Sequence, residues 1–248
     1  METPAPRRLA PDLWHLPFPV GHVYALTLPD DGWALVDTGV PGSAPAILDA
    51  LAQLGAHPAD LRQIVLTHSH IDHMGSAADL VEATGARVLA GAADAPVIQG
   101  HTPELPPALT DGERPLLAQV QAGLAAAGQP PLRHVTVDTV LHDGDTLDGW
   151  GRPVHVLHVP GHTPGSIALH LPGTGTLLTG DTVGAAPGRA VLGPFNTDRA
   201  QAIASFHRMA ALDGLRAVCV GHGTPLTGDA TALMRQATPE KDWLHGMP

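Results

Sequence analysis

The 248-residue chain is 44% hydrophobic but only 3% aromatic, so a sizeable core has to be built from Val, Leu, Ile and Ala. It sets 13 Lys and Arg against 24 Asp and Glu, a formal net charge of −11 with Lys241 the only lysine, which disfavours nucleic-acid partners. No run approaches the roughly 18 uninterrupted apolar residues of a membrane span, no apolar segment of an export signal follows Met1 to Arg8, and the lone Cys219 closes no internal disulfide, so a cytoplasmic protein without a membrane partner is expected.

In chain order, His22 to Leu28 and Trp33 to Val36 read as paired strands around the turn Pro29-Asp30-Asp31-Gly32. Asp37 follows in Leu35-Val36-Asp37-Thr38-Gly39, as a turn residue or as the cap of a helix from Ala44 to Leu54. The apolar run Ile64-Val65-Leu66 is a buried strand that ends in Thr67-His68-Ser69-His70-Ile71-Asp72-His73-Met74-Gly75. In extended chain, side chains two apart share a face, so His68, His70 and Asp72 point together. His73 joins them only if the backbone turns at Asp72, and the helix-forming residues from Ser76 to Ala83 make that turn reasonable.

From Ala95 to Pro131 the chain is irregular, with prolines around Gln99-Gly100-His101 and a helix near Pro115 to Ala127. Three further strands then stop at glycine beside one polar group. Val154 to Val159 runs into Pro160-Gly161-His162-Thr163-Pro164-Gly165, Thr176 to Thr179 into Gly180-Asp181-Thr182, and Ala217 to Val220 into Gly221-His222-Gly223. An amphipathic helix fits Arg199 to Leu212. The irregular insertion and the Gly/Pro-rich piece from Val183 to Asn196 are expected to wall a pocket. They supply Val97, Ile98, Leu105, Leu109, Val191, Leu192 and Phe195, with Arg114 and Arg189 as the only cations.

Desolvating three imidazoles and a carboxylate within six positions is costly unless a cation compensates. Imidazole with carboxylate suits zinc, iron, manganese or nickel, and the absence of thiolates argues against a closed structural zinc site. Cys219, inside an apolar run, reads as a buried inert thiol. The histidines outside these turns, His15, His142 and His245 among them, read as structural, while His22 and His101 stand at the margin as pocket residues.

His-x-His-x-Asp-His, followed by a later His, an Asp and a last His, resembles the signature of the metallo-β-lactamase-fold hydrolases, and the match runs from near Val23 to His222. The resemblance implies a four-layer αβ/βα sandwich, taken here as a single domain over residues 1–248. It implies that His68, His70 and His162 hold a first metal, that Asp72, His73 and His222 hold a second, and that Asp181 bridges both. Zinc is the leading metal, with iron, manganese, nickel or cobalt as alternatives. A hydroxide shared by the two metals would be the nucleophile, and Asp72 the catalytic group that orients it and relays a proton. Asp37 resembles the family's early aspartate that orients a ligand histidine. The expected partner is a small-molecule substrate, with homodimerisation left open.

Departures from subfamily patterns narrow the substrate. β-Lactamases of this fold lack the bridging aspartate that Asp181 provides. Glyoxalase II-like thioesterases use a basic C-terminal region, whereas little chain follows His222 and Lys241 is isolated. Acyl-homoserine lactonases often place a tyrosine after the bridging aspartate, where this chain has Thr182-Val183-Gly184-Ala185. Di-iron oxygen reductases carry Glu within the first cluster, where Ser69 and Ile71 stand here. A lactone or carboxylic-ester hydrolase is therefore the leading expectation. A glyoxalase II-like thioesterase is second, and a non-hydrolytic iron oxidoreductase third.

Overall fold

Strand periodicity sorts the first half of the chain onto two faces of one sheet. In the computed structural model, which describes residues 5–241, β1 (Arg7–Ala10), β2 (Leu13–Leu16), β3 (Val23–Thr27), β4 (Trp33–Val36), β5 (Leu61–Leu66), β6 (Arg87–Gly91) and β7 (Thr139–Leu141) pair in chain order. Met1 to Pro4 and His245 lie outside the described residues. Pairing is antiparallel from β1 to β4 and parallel from β4 to β7. Along β3 and β4, Val23, Ala25, Trp33 and Leu35 enter one apolar cluster while Tyr24, Leu26, Ala34 and Val36 enter another. Parallel neighbours need crossovers. The crossovers are α1 (Ala44–Gln53) between β4 and β5, then α2 (Ile71–Met74) and α3 (Ala77–Thr84) between β5 and β6.

After α4 (Ala95–Ile98) and α5 (Glu113–Ala126), the second half contributes β8 (His155–His158), β9 (Ile167–Leu171), β10 (Thr176–Leu178), β11 (Val183–Ala186), β12 (Arg189–Leu192), α6 (Arg199–Ala210), β13 (Ala217–Cys219), β14 (Leu226–Thr227) and α7 (Ala230–Gln236). Its sheet runs β14-β13-β10-β9-β8, with β10 and β13 parallel. Three apolar clusters define the layers. Ile47, Leu51 and Leu80 pack helices on the outer face of the first sheet. Leu13, Val65, Leu169 and Leu178 fill the space between the sheets. Phe206, Met209 and Met234 cover the outer face of the second sheet through Leu177 and Val218. This is the αβ/βα sandwich expected. Among the described residues no helix is long and apolar enough to cross a membrane.

Two expectations need correction. Val183 to Asn196 is largely an ordered hairpin, β11 with β12, joined through Pro187-Gly188 with Gly188 at φ 72. Accordingly Val191 and Leu192 are buried, at 2% and 0% exposure, and Ile98 is buried too; these three are core residues, not pocket walls. Of the expected wall residues, Leu105, 55% exposed, and the half-buried Val97, Leu109 and Phe195 are the ones left at or near the surface.

Candidate metal centre

The C-terminal ends of β4 and β5 in one sheet, and of β10 and β13 in the other, carry Asp37, the His68 segment, Asp181 and His222 to one edge of the sandwich. Asp37 sits at φ 63, a left-handed conformation that Asp tolerates better than most residues. Its Oδ1 accepts from the Thr67 N–H at 2.7 Å, and its Oδ2 accepts from the Thr67 hydroxyl at 2.8 Å and from His73 Nδ1 at 2.8 Å. The last contact keeps a proton on His73 Nδ1, so that Nε2 is the nitrogen left for a cation. Since the Thr67 hydroxyl donates to Asp37, its lone pair accepts from His68 Nδ1 at 3.0 Å. His68 Nε2 is bare by the same logic.

His68 Nε2 lies 3.1 Å from His70 Nδ1, and His162 Nε2 lies 2.9 Å from that same His70 atom. A second group is built on Asp72 Oδ2, 3.0 Å from His222 Nε2 and 3.7 Å from His73 Nε2. Asp181 joins the two groups: Oδ2 is 3.7 Å from His162 Nε2 and 3.2 Å from His222 Nε2, and Oδ1 is 3.3 Å from His73 Nε2. Tetrahedral ligands at metal–nitrogen bonds of about 2.0–2.1 Å sit about 3.3 Å apart, so these spacings suit one cation per group. The donors fit as well. His73 Nε2 and Asp181 Oδ1, 3.3 Å apart, are both buried without a hydrogen bond, a costly arrangement in a dry site that a cation between them, or a proton on His73, relieves.

Electrostatics divides the rings. Burial holds His68 well below its ordinary pKa and brings His162 down to about 3, leaving both neutral as metal binding requires. Burial also opposes charge on His73 and His222. There the carboxylates win, with Asp181 foremost for both; His222 rises to about 10 and His73 well above its ordinary value.

All seven residues expected at the site are brought together: His68, His70, His162 and Asp181 in one group, Asp72, His73 and His222 in the other. The local path differs from expectation at Asp72. The chain turns at His70, whose carbonyl accepts from His73 N and Met74 N at 3.0 Å each, so Asp72 and His73 sit on the helical turn α2 rather than on extended chain. Gly221 allows the closest approach, because a Cβ there would run into Asp181 Oδ1 and come within 2.7 Å of His73 Cε1.

Sequence reasoning missed Asp94, just after β6. It is buried, and it accepts from Ser69 N at 2.9 Å, Thr163 Oγ1 at 2.7 Å and Gly165 N at 2.7 Å. It thereby clamps the His68–His70 segment to the His162 turn. The strand ending at Gly91 was the available signal. His22 brackets the last ligand, its N–H donating to Gly221 O at 2.9 Å and its Nε2 lying 2.8 Å from Gly223 O. His101 is exposed. Arg114 donates to Leu109 O and pairs with Asp111, both on its own segment, and Arg189 opens β12 opposite Ala186.

A family model described as the metallo-beta-lactamase superfamily matches residues 16–222. The probable metallo-hydrolase YflN of Bacillus subtilis (strain 168) is 29% identical over 232 residues, 84% of this chain and 83% of that protein. A hydroxyacylglutathione hydrolase of Fuscovulum blasticum is 35% identical over 190 residues, 76% of this chain but 56% of that protein, so the chain spans little more than half of it. A solved Cronobacter sakazakii metallo-β-lactamase with a HARLDQ motif superposes with TM-score 0.67 at 27% identity, covering 90% of this chain and 79% of that one.

Proposed function

Because the chain belongs to the metallo-β-lactamase superfamily, a family of metal-dependent hydrolases, we propose that it is a dinuclear enzyme cleaving a lactone or carboxylic ester. In this reading His68, His70 and His162 hold one divalent cation, Asp72, His73 and His222 hold another, and Asp181 serves both. Such a pair supplies an activated water as nucleophile and polarises the carbonyl oxygen of the substrate. The protein's part is to present bare ring nitrogens: Asp37 and Thr67 fix the tautomers of His73 and His68, and Asp94 holds the two loops in register. Asp72, with 17% of its side chain exposed, is the carboxylate placed to take a proton from the attacking water and return it to the leaving group. The observation that carries the proposal is the convergence of His68 Nε2, His70 Nδ1 and His162 Nε2 within about one ligand spacing, joined by Asp181 to the second group.

The lactone or ester preference draws support from the rim. Glu104 places a carboxylate 3.1 Å from His70 Nε2, beside the exposed Leu105, on a chain of net charge −11. An acidic rim with an apolar neighbour suits a neutral acyl substrate better than a polyanion. The second reading, a thioesterase acting on a hydroxyacyl glutathione conjugate, is favoured by the 35% identity to a hydroxyacylglutathione hydrolase. The two separate on one Zn2+-loaded preparation by kcat/KM for an aliphatic lactone, an aryl ester and a glutathione thioester. The lactone or ester is expected to lead. A glutathione thioester at the head of the ranking would promote the second reading.

A further inference from the structure

His70 differs from the other two imidazoles of its group in where its outer nitrogen goes. His68 turns its outer nitrogen to Thr67 inside the fold, while His162 Nδ1 is buried without a partner. His70 Nδ1 faces the other two rings, so its Nε2 is the outer atom, and that atom lies 3.1 Å from Glu104 Oε1. A carboxylate on the far nitrogen fixes the proton there, keeps the inner nitrogen bare and makes it more basic toward a cation. Glu104 is not part of the sandwich. It belongs to the segment between α4 and α5, and its own side chain is 46% exposed.

That segment is fastened on both sides of Glu104. On the near side, the Ile98 carbonyl meets His134 Nδ1 at 3.1 Å. On the far side, Ala108 N donates to Asn196 O at 2.9 Å, and Thr110 donates through both N and Oγ1 to Glu113 Oε2 at 2.8 Å. Glu113 is 2% exposed, and its other oxygen accepts from Phe195 N at 2.9 Å. Phe195 holds a left-handed φ of 62, which costs a bulky residue something and so requires such an anchor. Thr197 N then donates to His162 O at 3.1 Å. The segment is thus a strap tied into the same turn that carries His162, and Glu104 is its point of contact with His70.

We propose that Glu104 is a positioning residue for the first metal, delivered by the strap over residues 99–112 to the outer nitrogen of His70, so that tight binding of that metal depends on the strap being seated. The assignment rests on the dinuclear reading of the site. It makes the strap more than a wall: its seating and the first metal's affinity are two sides of one coupling.

The test is Zn2+ competition against a chromophoric chelator, on the metal-free parent and on E104A, E104Q and D111N. Asp111 is an exposed acid of the same strap that pairs with Arg114, so D111N controls for charge alone. In E104A one of two Zn2+ equivalents should weaken by about 10–100-fold, the range for loss of an outer partner. E104Q, which keeps an acceptor oxygen without the charge, should recover part of the loss. D111N should match the parent, and the metal-free melting temperature should stay the same in all four, since Glu104 is half exposed. Zn2+ affinities of E104A equal to the parent's would overturn the assignment while leaving the dinuclear reading intact. Equal weakening of both equivalents with a lower metal-free melting temperature would also overturn it, as a merely structural effect. A parent that takes up no Zn2+ would remove the dinuclear reading and this assignment with it.

Discussion

Asp37 governs two ligands with one carboxylate, directly at His73 and through the Thr67 hydroxyl at His68. Thr67→Val keeps the shape but removes both the donor to Asp37 and the acceptor for His68 Nδ1, freeing His68 to put its proton on Nε2. Zn2+ affinity should fall by about 10–100-fold, and Thr67→Ser should restore it. A valine variant that binds Zn2+ like the parent would show that the hydroxyl does not set the tautomer. Asp181 has the larger part, since its two oxygens reach His73, His222 and His162. Asp181→Ala should therefore lower bound metal below two per chain, with activity falling more than the roughly 100-fold seen for loss of an outer partner. Asp143, also beside a glycine turn, pairs with Arg208 and belongs to neither ligand group, and Asp143→Ala should leave metal content unchanged. Equal metal loss in the two variants would mean the shared ligand has been misassigned. Asp94→Ala leaves Ser69 N–H, Thr163 O–H and Gly165 N–H without their buried acceptor, at about 1–3 kcal/mol each; calorimetry should show a lower melting temperature even without metal.

At the scale of elements, each ligand turn depends on a strand that stops abruptly. β13 ends at Cys219, and Gly221 then lets the His222 turn pass against Asp181 and His73. Gly221→Ala would set a Cβ into Asp181 Oδ1 and 2.7 Å from His73 Cε1, so the carboxylate must move by about an ångström or more and the His73 ring must give as well. Zn2+ uptake should weaken while circular dichroism keeps the fold, and unaltered uptake would show that the close approach is slack. Such turns were legible in the sequence because an apolar run followed by glycine and one polar group is a local signal, and three of them occur in order after the His68 cluster. The pairing of β3 with β4 was legible in the same local way, from the turn Pro29-Asp30-Asp31-Gly32 between two apolar runs. Asp37 was anticipated through the family resemblance, but the other residues that hold the ligands were not legible. Asp94 follows a strand like the others, but Ser69, Thr163 and Gly165 are far from it in sequence, and nothing local says that they meet. Glu104 lies on irregular chain, where spacing carries no geometric meaning. The β11–β12 hairpin was misread because glycines at 184, 188 and 193 suggested a loop, although Pro187-Gly188 between two short apolar runs is itself a hairpin signal.

For the molecule as a whole, cations enter a chain of net charge −11 whose ligand histidines are already divided by charge. Binding only to the folded state adds about 2.7 kcal/mol per site at a metal concentration a hundredfold above Kd. Chelation should then lower the melting temperature by roughly 5–10 °C for each such site in a chain of this size. The pH dependence follows from His73 and His222. Burial alone would strip both of charge, but Asp181 and Asp72 hold His222 at about 10 and His73 well above its ordinary value, so both carry a proton at pH 7 without metal. In the metal-free protein their stabilising contribution is complete below the ordinary value of 6.5 and is lost as pH rises through the folded values. A cation needs the bare nitrogen, so binding must expel those protons, and affinity should rise with pH across the neutral range. Zn2+ added to metal-free protein in weak buffer at pH 7 should release about two protons per chain, and its affinity should be higher at pH 8 than at pH 6. Uptake without proton release, at an affinity that does not change over that interval, would mean that Asp72 and Asp181 do not hold His73 and His222 charged, and the electrostatic account of the second group would have to be abandoned.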